Sequence, residues 1–174
     1  MIKAKKIALM ILSLLLFFNV ALADQPILKV PPSLLQEHNE LMAMLQQAIA
    51  SGGKTGQAAQ EVAKLMLPHF KEQLDFVYPP LGLLPILTTG DVTPEMKAAL
   101  PMIQKTSEIY SQLLDIHAAI IVQANNLVAA AHEENKPVVY EFVDRFKIYA
   151  RRGEEVIYPA AILLGEFIKL KMGS

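Results

Sequence analysis

The chain has 174 residues, 16 Lys and Arg against 17 Asp and Glu, four histidines and no cysteine. A near-neutral balance without a basic run argues against nucleic-acid binding. The lack of cysteine excludes disulfides and thiolate chemistry.

The first 23 residues stand apart in composition. Lys3, Lys5 and Lys6 precede an apolar run at 7–20 interrupted by Ser13 and Asn19, and Ala21-Leu22-Ala23 completes the small-x-small pattern of a secretory signal peptide. The run is shorter than the ~20 apolar residues of a membrane span, so cleavage after Ala23 is favoured over an anchor. With no cysteine after Ala23, a lipoprotein is excluded. Loss of three lysines and no acid takes the formal charge from −1 to −4. Residues 24–174 suit one domain of roughly 150 residues, large enough for a real core. The expected location is periplasmic or secreted, with no membrane contact after cleavage.

Pro31-Pro32-Ser33 opens helix A, whose stripe Leu34, Leu41, Met42, Leu45 and Ile49 follows the helical period with His38 inside it. Gly52 and Gly53 make a turn. Helix B is expected over 58–78, with His69 and Gln73 one turn apart on its inward face and Pro68 kinking it. Pro79-Pro80 should stop it. Thr93-Pro94-Glu95 signals a new start, and Pro101 should separate a lead helix from helix C, which carries His117 and runs to about His132. Helix D follows Pro137, with Val139, Phe142, Phe146 and Tyr149 inward. Pro159 should kink or end it before a short, apolar C-terminal helix at 160–172. No segment reads as a strand. The expected fold is all-α, an up-down-up-down four-helix bundle.

The chain also repeats itself. Val77-Tyr78-Pro79 answers Ile157-Tyr158-Pro159, and this alignment lays His69 over Tyr149. His38 lies about 15 residues before the A/B turn and His69 about 16 after it, so at ~1.5 Å per residue both stand roughly 22–25 Å from that turn. By similar counting His117, Tyr149 and Glu154 fall in the same layer. A lone buried histidine is more often a hydrogen-bonded core residue than a ligand. Three at one depth, out of four in the chain, favour a metal site of the kind bundles build from facing helices. His132 falls outside the layer and reads as a surface residue. Tyr78 and Tyr158 read as packing residues, and Glu133-Glu134 and Arg151-Arg152 as solvated charges.

Leu35-x-x-His38, His69-Phe70 followed by Tyr78-Pro79, Leu113-x-x-x-His117, and Glu154-Glu155 leading to Tyr158-Pro159 together resemble the hemerythrin family, in particular the bacterial hemerythrin-like (HHE cation-binding) domains. The resemblance spans nearly all of residues 24–174. It implies two irons bridged by carboxylates, used to bind dioxygen, sense oxygen or nitric oxide, or store and deliver iron. The chain departs from that pattern where it matters. Gln73 stands in place of a bridging glutamate, Tyr149 in place of a histidine, and Leu113 in place of the second helix-C histidine. Glu154 matches an acidic family position but lies about 140° around an ideal helix from Tyr149, so it must reach or the helix must distort.

The surviving donors, His38, His69, His117 and Glu154 with Tyr149 and the Gln73 carbonyl as further candidates, suit one iron rather than two. The resulting expectation is an iron-binding envelope protein that senses, buffers or scavenges, with dioxygen or nitric oxide as candidate ligands. The alternative is a metal-free bundle acting as a binding or interaction module for a protein partner. Enzymatic activity is the least favoured reading, since no phosphate loop, nucleophile elbow or paired metalloprotease histidines occur.

Overall fold

A computed structural model of the chain describes residues 28–173. The expected signal peptide and its cleavage site lie outside the described residues. The regular elements among them are all helices, with no strand. Four long helices carry the architecture: α1 (Pro32–Ala50), α2 (Gly53–Glu72), α6 (Tyr110–Glu133) and α7 (Val138–Arg152). Between α2 and α6 lie the short α3 (Tyr78–Leu81) and α4 (Leu84–Leu87), a 3-10 turn (Pro94–Ala99) and α5 (Leu100–Glu108). The last element is α8 (Tyr158–Met172). α1 packs on α2 and α7, and α6 packs on the same two helices from the other side.

Each long helix buries one stripe. In α1 it is His38, Leu41, Leu45 and Ala48, and in α7 Val139, Phe142, Phe146 and Tyr149. Helix α6 is long and apolar enough to cross a membrane. Its stripe from Leu113 through His117, Ile120 and Leu127 is nonetheless buried within the protein. The main apolar cluster, including Leu41, Met66, Ile120 and Phe146, fills the space among the long helices. A second cluster around Val77, Tyr78, Leu113 and Tyr158 follows. A third, around Met96, Ile103 and Ile168, closes the end where α8 packs on α5.

Some element boundaries differ from the sequence expectation. Helix α2 begins at Gly53 rather than near 58, because a distant carboxylate caps it. Glu134 accepts the Lys54 amide at 2.7 Å, the Thr55 amide at 3.0 Å and the Thr55 hydroxyl at 2.7 Å. Lys136 Nζ locks the arrangement, donating to Ser51 O and Gly52 O at 2.9 Å and to Glu134 at 2.8 Å. These contacts, led by Lys136, hold the Glu134 carboxyl far below its ordinary range. Glu134 is therefore a tertiary cap and not a merely solvated charge. Gly53, at φ 64, has the Glu134 carboxylate where a Cβ would sit.

Helix B ends just past Pro79-Pro80, at Leu81, whereas Pro159, where a kink or an end was expected, does not end its helix. After α2 the chain widens into a π turn (Gln73–Val77), and after α7 into another (Gly153–Ile157), each running on into the next helix. The Tyr78 amide reaches back five residues to Gln73 O, and the Tyr158 amide to Gly153 O. A proline lacks the donor for an α-helical bond and crowds the carbonyl four residues back; the extra residue in the turn relieves that crowding. The 3-10 lead at Pro94–Ala99 gives way to α5 with Pro101 in its tolerant first turn, and a further break falls at Ile109 (φ −96°, ψ 8°), before α6. Helix α7 continues through its π turn into α8, so the C-terminal helix is an extension of helix D.

Candidate functional site

The polar residues of interest occupy the seam between the first two apolar clusters, beside the two π turns. His69 and His117 face each other across α2 and α6, with their Nε2 atoms 2.9 Å apart. Behind His117, its Nδ1 stands 2.9 Å from Glu154 Oε1. Glu154 reaches it from inside the second π turn, so the helix is distorted there, one of the two outcomes that the 140° offset left open. Gly153 makes the approach possible, since a Cβ there would lie 3.1 Å from His117 Cε1 and 3.3 Å from the Tyr158 ring.

A second set of contacts leads away from His117. The Tyr158 hydroxyl is 3.0 Å from His117 Nε2, and Gln73 Nε2 donates to the Tyr158 oxygen at 2.6 Å. The Tyr149 hydroxyl donates to Gln73 Oε1, and the Tyr78 and Tyr149 hydroxyls are 2.6 Å apart. The amide of Gln73 fixes the polarity of the whole chain. Tyr149 spends its proton on Gln73, so Tyr78 must donate to Tyr149. Tyr158 accepts from Gln73, so its own proton points at His117 Nε2. His117 then donates from Nδ1 to Glu154. The relay runs one way, from Tyr78 through Tyr149, Gln73, Tyr158 and His117 to a carboxylate whose side chain is 37% exposed.

One contact does not fit that chain. A neutral imidazole whose Nδ1 carries the proton has a single lone pair at Nε2. Tyr158 and His69 both converge on it, so only one of them can be bonded well. His69 Nδ1 is also buried with no partner among the described residues.

Burial sets the charge state. Burial, and then the neighbouring His117 and His38, lower the His69 pKa to about 3. Burial lowers His38 to about 4. His117 is also lowered, since burial outweighs the attraction of Glu154. The hydroxyls of Tyr78, Tyr149 and Tyr158 are all pushed up by burial. At neutral pH the imidazoles and phenols are uncharged.

His69, His117, Glu154, Gln73 and Tyr149 thus belong to one bonded set. His38 does not join it: its ring lies on Phe70, with centroids 3.6 Å apart, and its Nδ1 is buried without a partner among the described residues. His132 is exposed. Tyr78 and Tyr158 are members that the sequence reading treated as packing. Their one signal was the repeated Tyr-Pro placed after each site helix. Among the described residues no group of three His, Cys, Asp or Glu side chains is close enough to hold a metal. Two imidazoles do suit one: nitrogens at right angles, each about 2.1 Å from a cation, stand about 3.0 Å apart. A carboxylate on the far nitrogen is the usual support of a metal-bound histidine. Comparison with protein-family models, curated proteins and solved structures finds no match to the chain.

Proposed function

We infer that the chain is a hemerythrin-like protein of the cell envelope, an up-down-up-down four-helix bundle that holds one metal ion, iron, to sense, buffer or scavenge. The observation that carries this reading is the facing pair His69 and His117, 2.9 Å apart at Nε2 with Glu154 behind His117. The ring of contacts among α1, α2, α6 and α7 supports the bundle. A single ion is favoured because Leu113, where a further histidine would serve a second iron, is buried in an apolar cluster. Imidazole with oxygen donors suits iron among the first-row metals. Few protein donors would leave positions open for a small ligand such as dioxygen or nitric oxide. Ferrous iron should raise the melting temperature of the wild type, because a ligand that binds only the folded state stabilises it. The rise should vanish in His117→Ala and persist in His132→Ala. An equal rise in all three would contradict the assignment.

A second reading draws on the one-way chain from Tyr78 to Glu154, which satisfies its hydroxyls and the Gln73 amide without an ion. In that case the bundle is metal-free and acts as an interaction module. A melting temperature indifferent to iron and to chelator would select it.

A further inference from the structure

We propose that Tyr158, and not Tyr149, is the phenol that completes the metal site as a third donor beside His69 and His117, with Gln73 as its positioning residue. This inference rests on the single-metal reading. The sequence alignment favours Tyr149, which lies over His69 in the repeat. The geometry favours Tyr158. Its oxygen is 3.0 Å from His117 Nε2, the atom that also faces His69 at 2.9 Å. Tyr149 makes no hydrogen bond to either histidine; its hydroxyl is committed to Gln73 and Tyr78.

Two neighbours therefore converge on His117 Nε2, where the protons available satisfy only one contact well. His117 Nε2 offers one lone pair to two neighbours. A cation at that point would take a lone pair from each of the three atoms and remove the conflict. The phenol proton would be released to solvent as the ion enters. The absence of a third His, Cys, Asp or Glu at the site is then accounted for by a donor of another kind.

The surroundings of Tyr158 are built to hold its oxygen in place. The residue is fully buried, and its ring stacks on His117 with centroids 5.7 Å apart at 27°. It meets Tyr110 edge-on at 6.4 Å. Its backbone is set by the π turn, through the bond from its amide to Gly153 O. Gln73 Nε2 donates to the phenol oxygen at 2.6 Å, a contact that strengthens when that oxygen becomes anionic. A glutamate at 73 would instead face the phenolate with a like charge. The neutral amide is thus the side chain that a phenolate neighbour requires.

The test is to load the protein with ferric iron supplied as its citrate complex, then read iron per chain together with the visible absorption of a phenolate bound to ferric iron. The wild type should bind iron and show the band. Tyr158→Phe should lose the band while retaining iron, and Tyr149→Phe should keep it. Gln73→Leu should shift the band, which keeps the proposal testable if Tyr158→Phe does not fold. A band that survives in Tyr158→Phe or disappears in Tyr149→Phe overturns the proposal, as does an unshifted band in Gln73→Leu. Iron bound by the wild type without any band overturns it too, leaving the metal reading intact. No iron bound by the wild type overturns the metal reading itself.

Discussion

Position 73 shows how one side chain sets the chemistry around it. The Gln73 amide offers an acceptor to Tyr149 and a donor to Tyr158, and so decides which way every proton in the chain points. Replacing it by leucine removes partners from two buried hydroxyls, at about 1–3 kcal/mol by the usual cost of such losses. Urea denaturation of Gln73→Leu checks this, and an unchanged midpoint would contradict it. Glu154 acts differently, orienting His117 from behind. Glu154→Gln should weaken iron binding by roughly 10–100-fold with the fold retained, as with other partners of metal-bound histidines. Competition with a chromogenic chelator measures that. The facing of His69 and His117 was legible because depth along a helix follows from counting, whereas His38, counted into the same layer, packs on Phe70 outside the bonded set. The roles of Tyr78 and Tyr158 were not, because an inward aromatic reads the same in sequence whether or not its hydroxyl is used.

Among the elements, the helices are marked by their apolar stripes, and Pro32 by its place at a helix start. The widened turns at Gln73–Val77 and Gly153–Ile157 are not marked in the same way. Five residues do not separate a period of 3.6 from a wider one, and a Tyr-Pro pair reads as a stop. The early start of α2 was hidden for another reason. Capping signals are sought within a few residues, whereas Glu134 lies 80 residues along the chain from the Lys54 amide it accepts. Its importance can be isolated with two glycines. Gly53→Ala meets both a left-handed backbone and the Glu134 carboxylate, whereas Gly90→Ala, at φ 85, meets open space. The backbone term is about 1–2 kcal/mol in each. Gly53→Ala should therefore lower stability more than Gly90→Ala, and equal losses in urea melts would show that the cap contributes nothing.

For the whole molecule, the buried histidines make stability depend on acidity. The unfolded value is 6.5, against about 4 for His38 and about 3 for His69 in the fold. Below pH 6.5 the unfolded chain binds more protons than the folded one, so stability is complete above that pH and falls as acid is added. Each such histidine steepens the fall by up to about 1.4 kcal/mol per pH unit until its folded pKa is reached. Denaturation midpoints taken from neutrality to about pH 5 sample the histidines before most carboxylates titrate. His38→Phe should flatten the slope by about one proton, and an unchanged slope would mean that His38 is not buried neutral.

The most direct measurement is iron per chain, by elemental mass spectrometry, on protein purified without an affinity-tag metal and reconstituted with ferrous iron. Near one equivalent is expected in the wild type, lost in His69→Ala and in His117→Ala. No bound iron in the wild type, or the same content in both variants, would contradict it.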